Sequence, residues 1–464
     1  MERPGPHAIS AAGSSSSEQW ARSARAILTA VVLLALAGSV GCATYSDRLE
    51  SARRSVSAGD YAAGIGELDK VIGVDDPSQL PDSFPSDSAL AVLERATLKQ
   101  ATEQWGSSAR DFQTADKQLE LLDITNDTVG DIGRYVFSDS ATKYRTSPVE
   151  KLSLNAFNML NYLVRGDLAG ARVEARRFTV MRRYLEDADA GRAHVAFGSY
   201  LAGFTMERLG EYGSAMRYYD EALQERRFES LRAPVARLAQ LTSYRGQRIG
   251  SLLAGAGPAP AVDDDRPELL VIVSTGRVPH KVPERMPIGA AIGIAGTYIS
   301  GDPAVLGYTA MKFVVYPELV PSESVIRGVD VRLDGRSAPL ELATHVGGEI
   351  RREYEALKPR IIGAALSRMI VRAAAAEGMR QAGREDSEGL GWVLALLTEG
   401  LLVAADKPDT RSWIFLPDEV RVHRSRVAPG RHEIRVGLGN AGDRTATVDL
   451  APGGFAVVVV TAPR

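Results

Sequence analysis

Between Ala254 and Pro267 the chain changes period, and that change limits its folds more than any other feature. The stretch AGAGPAPAVDDDRP has no apolar repeat and its prolines disfavour helix, so it marks a boundary. Before it, apolar residues recur at helical spacing; after it, Glu268–Ser274 (ELLVIVS) reads as a buried strand stopped by Thr275-Gly276-Arg277. One type of layer cannot serve both halves. The expected fold class is therefore mixed, with a helical solenoid over 42–253, a linker over 254–267 and an α+β domain over 268–464. A chain of 464 residues with 45% apolar content can supply the two or three cores this needs.

The first 41 residues read as a signal peptide. Arg22 and Arg25 precede an apolar run from Ala26 to Ala37, and Gly38, Ser39 and Gly41 lead into Cys42. The run is shorter than the roughly 20 residues of a membrane span. Cys42 is the sole cysteine, which excludes an internal disulfide. Its position resembles the lipobox of bacterial lipoproteins, with Ser39 where Leu is usual. That resemblance implies lipid attachment at Cys42 and an acyl anchor on a membrane. Because Ala43 is not Asp, it also implies the outer membrane, facing the periplasm. The alternative is an ordinary signal that leaves a soluble periplasmic protein.

Within 42–253 a two-helix pattern recurs. Ala58-Gly59-Asp60-Tyr61 separates two periodic segments of Arg48–Val71. Leu160–Leu168, with Gly166, leads into Ala171. The third copy places Gly203, Gly210, Tyr212, Ala215, Tyr219 and Ala222 where a tetratricopeptide (TPR) repeat has small or aromatic residues. These residues resemble TPR packing positions, and the expected solenoid is TPR-like. The turn glycines are not spaced by about 34 residues, so the array is irregular. Leu90–Leu122 reads as another helical pair, 130–148 as a loop or hairpin, and Arg172–Arg183 as a solvated face with internal ion pairs. Helical repeats offer a concave surface to protein partners.

Beyond the linker, further strands are expected at Met311–Tyr316, Ser324–Leu333, Leu340–Thr344, Ser412–Leu416, Glu419–Arg424, His432–Gly437, Thr445–Leu450 and Phe455–Thr461. Ile288–Tyr298, with Gly289, Gly293 and Gly296, reads as a flexible loop or close packing surface and carries no nucleotide-binding spacing. Glu349–Arg380 is expected to be helical, with a kink or restart at Pro359, and Leu390–Ala405 to be a buried helix.

With a formal charge of −3 and no long block of one sign, nothing points to a nucleic-acid partner, and six scattered histidines show no metal-ligand spacing. No cofactor motif is present, and Ser199 and Ser274 lack the nucleophile elbow of a serine hydrolase. The densest polar cluster is Asp406–Trp413. There Arg411, Trp413 and Asp409 are candidate ligand or partner contacts, set against a structural reading in which Asp409 caps a turn and Trp413 is core.

NYLVRGDLAGARVEARRF (161–178), STGRVPHKVPERMPI (274–288) and DKPDTRSWIFLP (406–417) complete the set. With the lipobox and the helical pairs they resemble a family of TPR-containing bacterial outer-membrane lipoproteins of unassigned biochemistry. The resemblance implies an envelope location and a setting beside cell-wall-synthesis lipoproteins, and supplies no catalytic residues. The expected function is a lipid-anchored, periplasm-facing scaffold or adaptor that binds envelope proteins in cell-wall or surface-polymer assembly. The alternative is an enzyme acting on an envelope glycan or peptide, with Asp406, Asp409 and Glu399 as its carboxyl groups.

Overall fold

The computed structural model describes residues 44–85, 87–121, 143–187, 196–254, 260–262, 265–308, 312–384 and 408–464. Cys42, Glu399, Asp406, Leu390–Ala405 and most of 130–148 lie outside the described residues. The fold is mixed α/β.

Thirteen helices are described. The first eleven are α1 (Tyr45–Arg48), α2 (Glu50–Ala58), α3 (Tyr61–Ile72), α4 (Ser88–Ala101), α5 (Trp105–Gln118), α6 (Pro148–Val164), α7 (Leu168–Asp187), α8 (Ala196–Arg208), α9 (Tyr212–Glu225), α10 (Arg232–Leu238) and α11 (Gln247–Leu253). From α2 to α9 they form successive antiparallel hairpins, each packed on the next. The turns follow from backbone chemistry: Gly59, Gly166 and Gly210 each follow the first helix of a hairpin at φ 84°, 69° and 76°. Only glycine enters this left-handed region freely. Within the last of these hairpins Gly203 faces the ring of Tyr219, where a Cβ would overlap it. Tyr61, Ala171, Ala215, Tyr219 and Ala222 are buried, and Tyr212 is half-buried.

Of the first helices of these hairpins, α4, α6 and α8 are buried on every side, whereas α2 buries only Ala52 and Val56. All residues of α4 from Ser88 to Gln100 are inaccessible, as are those of α8 from Ala196 to Glu207, and α6 nearly so. A helix that carries Glu94, Arg95, Lys99 and Gln100 into the interior must find partners for them. Arg95 and Lys99 pair with Asp111 at 2.8 and 2.6 Å, and Arg95 also with Asp69 at 2.7 Å.

What covers the inner helices is the chain's own sheet. Strands β3 (Glu268–Thr275), β8 (Glu341–His345), β9 (Glu419–Arg426) and β12 (Phe455–Ala462) lie in the order β12-β3-β9-β8, with only β12 and β3 parallel. All eight residues of β3 are buried, and they alternate between two cores. Leu270 and Ile272 join the core of the helical hairpins; Leu269, Val271 and Val273 face a second sheet. That sheet is antiparallel, in the order β11-β10-β6-β7, from β6 (Asp330–Leu333), β7 (Arg336–Ala338), β10 (Gly430–Gly437) and β11 (Asp443–Leu450). The layers are thus helices, sheet, sheet. The helical and strand-rich halves on either side of 254–267 share one hydrophobic core.

Strands β4 (His280–Pro287) and β5 (Phe313–Val320) pair with each other, and helices α12 (Ile288–Ala295) and α13 (Val346–Arg384) pack with them around Ala291, Ala295, Val314, Ile362 and Leu366. Two expectations are corrected here. The glycine-bearing Ile288–Tyr298 begins as a helix, because Ala291 and Ala295 stack on the α13 core. Ser412–Leu416 is a buried turn rather than a strand. A short parallel pair, β1 (Glu120–Leu121) with β2 (Arg145–Thr146), completes the sheets. Pro359 lies within the single helix α13.

Candidate functional site

The turn over 409–416 is fixed by carboxylates on the inner helices. Glu94 of α4 accepts the amides of Ile414 and Phe415 at 2.5 and 2.8 Å, and Glu150 of α6 accepts that of Trp413 at 2.9 Å. Burial drives the Glu94 carboxyl well above its ordinary range, against the lowering effect of these two amides. The Trp413 indole donates to Thr97 Oγ1 at 3.0 Å and meets Phe112 and Phe157 edge-on at 5.9 and 6.4 Å. Side chains therefore take the place of a neighbouring strand, which is why the segment is a turn.

The turn forms one wall of a cleft of about 190 Å³. The N-terminal end of α6 and the preceding 143–147 form the second wall, α13 the third, and residues from 278–281 and β5 the rest. Its apolar surface comes from Val278, Leu319, Ile350, Leu357, Ile361 and Ala364. Set around it are six cationic side chains, Lys143, Arg145, Lys281, Arg360, Arg368 and Arg411, against three carboxyl groups, Glu150, Glu353 and Asp409.

Each carboxyl group is already engaged. Glu150 also takes the hydroxyl proton of Tyr144 at 2.5 Å and the amide of Ser147 at 3.0 Å, closing a reciprocal cap on α6. Asp409 holds Arg411 through Nε and Nη2 at 2.7 and 2.8 Å, and the guanidinium lies 5.7 Å from the Tyr144 ring centre. Glu353 accepts the amide of Val149 at 3.1 Å. Burial pushes its carboxyl up to about 7, opposed by hydrogen bonds from Ser147 and Val149 and reinforced by the Glu150 charge. Burial, with Glu150 beside it, also raises the Tyr144 phenol.

All three residues singled out from the polar cluster line this cleft. Asp409 is half-exposed to it, Arg411 is 5% exposed and Trp413 wholly buried. Trp413 is thus the floor of the cleft and Arg411 an oriented, paired cation. Lys281, Glu353 and Tyr144 were not singled out, because they come from separate stretches with no local motif. Ser412 contributes a buried hydroxyl with no hydrogen-bond partner among the described residues. The Ser147 hydroxyl, which interacts with Glu353, is occupied as the cap of α6 and accepts the Glu150 amide at 3.3 Å. It is a helix cap before it is a nucleophile.

Other charged clusters serve the frame. Arg424 joins Glu207 and Glu268 at 2.7 and 2.5 Å, tying α8 to the central sheet. The arginines of Arg172–Arg183 pair with Glu211, Glu174 and Glu221, the last two buried or half-buried, so this face is less solvated than expected. His345, Asp418 and Glu419 bring potential metal-ligand atoms within 4.8 Å of one another. They sit at the amino end of α13, where the helix dipole disfavours a cation, and Glu419 is held by Arg421 at 2.5 Å. Among the described residues no helix is long and apolar enough to cross a membrane. Comparison with family models, with curated proteins and with solved structures returns no match to this chain.

Proposed function

We propose that this chain is a non-catalytic binding protein tethered to the outer membrane of a bacterial envelope through Cys42. In this reading the helical hairpins are of TPR type and serve as its support, and the cleft beside Arg411 is its ligand site. The observation that carries the reading is the fate of the hairpins' inner face. Free-standing helical repeats use that face to hold partners, whereas here α4, α6 and α8 are covered by the chain's own sheet and by the 409–416 turn. Beside these covered helices lies the charged, apolar-floored cleft, which has the composition of a recognition site.

A photo-crosslinking residue at Leu357 of the full chain tests this in cells, with Lys70 on the exposed surface of α3 as the comparison position. Adducts specific to position 357 support a ligand in the cleft; none, or the same adducts at both positions, count against it. Loss of the Cys42→Ser variant from the membrane fraction tests the tether separately.

A second reading, an adaptor for cell-wall or surface-polymer assembly proteins, is favoured by one surface. Val173, Val180 and Tyr184 are 48%, 69% and 51% exposed along α7, beside the exposed Arg176 and Arg183. Their spacing puts them along one side of the helix. A crosslinker at Val180 that captures a defined envelope protein supports this reading, provided Val180→Asp abolishes retention of that protein.

A further inference from the structure

We propose that the cleft takes a single-chain anionic amphiphile, a carboxylate or phosphate monoester on a medium-length apolar tail; this rests on the cleft being the ligand site. Charge is the first argument. Six cations face three carboxyl groups, and each of those carboxyls is already satisfied by amides, hydroxyls or Arg411. Lys143 and Lys281 form no ion pair among the described residues, although Lys281 lies near enough to Glu353 to lower its carboxyl, so a bound anion breaks no salt bridge of theirs. A cationic ligand meets the opposite field.

The shape of the apolar part is the second argument. Leu357, Ile361 and Ala364 follow one another at helical spacing on one face of α13 and line the cleft together. At about 1.5 Å per residue this strip is roughly 10 Å long, the length of a short alkyl chain. The volume of about 190 Å³ exceeds the roughly 150 Å³ of an apolar cavity that accepts benzene. It is too small for a two-chain lipid to be enclosed.

The third argument is a polar atom without an assigned partner. Ser412 is 6% exposed, its hydroxyl oxygen makes no hydrogen bond among the described residues, and the residue lines the cleft. Buried hydroxyls are normally paired, and a carboxylate or phosphate oxygen would supply the missing acceptor. A neutral hydrocarbon would leave both this hydroxyl and the lysines unused.

The test is calorimetric titration of the full chain with four eight-carbon probes: octanoate, octyl phosphate, octanol and octyltrimethylammonium. Octanoate or octyl phosphate is expected to bind at least tenfold more tightly than the other two, and the preferred anion identifies the head group. Lys281→Glu is expected to weaken that anion about tenfold with an unchanged unfolding temperature, and Leu357→Gln to weaken it by shortening the usable apolar strip. Lys70→Gln is expected to bind as the wild type does. Equal binding of octanol, or no binding of either anion, overturns the proposal. If position 357 still crosslinks a ligand in cells while both anions fail, the ligand class is wrong and the ligand site stands. If position 357 also captures nothing, both readings fall.

Discussion

The Glu150 carboxylate takes the amide proton of Trp413 at 2.9 Å, joining residues 263 positions apart. Together with Glu94, which takes the next two amides, it holds the wall of the cleft to the helical layer. Glu94→Ala removes the acceptor for two buried N–H groups and is expected to cost about 2–4 kcal/mol. Trp413→Ala leaves a cavity among Phe112, Phe157 and Thr97 and should cost about 3–5 kcal/mol. Urea unfolding measures both; losses below half a kcal/mol would remove these residues from the frame.

Gly203→Ala drives a methyl group into the Tyr219 ring. Tyr219 donates to Glu207 at 2.6 Å and accepts from Arg424 at 2.8 Å, so its ring cannot retreat without disturbing both contacts. The expected loss is about 1–3 kcal/mol. A double substitution with Tyr219→Leu should recover the steric part, which a thermodynamic cycle on the two sites reads directly.

Burial alone would raise the Glu207 carboxyl, but Arg424, Arg208 and Arg237 outweigh it and hold it at about 2. A depressed carboxyl stabilises the fold above its ordinary pKa, and that contribution fades as pH falls from about 4.5 through 2. Glu207→Gln should cost about 3–5 kcal/mol at pH 7, since it strips buried arginines of their counter-charge. The gap from the wild type should narrow in acid. A gap independent of pH would mean the charge is not what matters.

Glu353 has the opposite sign. Its unfolded carboxyl releases a proton near 4.5 and its folded carboxyl near 7, so the native state binds more protons in between and stability falls as pH rises across that window. Glu353→Gln keeps an acceptor for Val149 and removes the titration. Its stability relative to the wild type should improve by about 3 kcal/mol between pH 4.5 and 7.5. Parallel pH profiles for the two proteins would refute the shifted carboxyl.

Periodicity was enough to read β3, because an unbroken apolar run serves a strand buried on both faces. It was enough for the helical hairpins too, because glycine at a left-handed turn leaves a local mark. β4 left no such mark: HKVPERMP contains two prolines and three charged residues, and among the described residues it pairs with β5 alone. The 412–416 segment is an apolar run like a buried strand, yet the amides of Trp413, Ile414 and Phe415 go to Glu150 and Glu94, partners that no local pattern announces. The cleft was half legible for the same reason. Asp409, Arg411 and Trp413 share one short string, while Lys281, Glu353 and Tyr144 meet them only through the packing of α13 and α6.

The contact of β12, an edge strand of its sheet, with the helical layer has a consequence for how this molecule assembles. β12 borders β3 and touches α4 and α6, and Val457 and Val459 enter the same core as the hairpins. Hairpins made of local contacts can form early, but their inner helices stay wet until strands hundreds of residues away arrive, so loop closure rather than helix formation sets the pace. The helices and the sheet should then melt in one cooperative transition, and a fragment ending before β3 would expose the faces of α4, α6 and α8 to water as an adhesive surface.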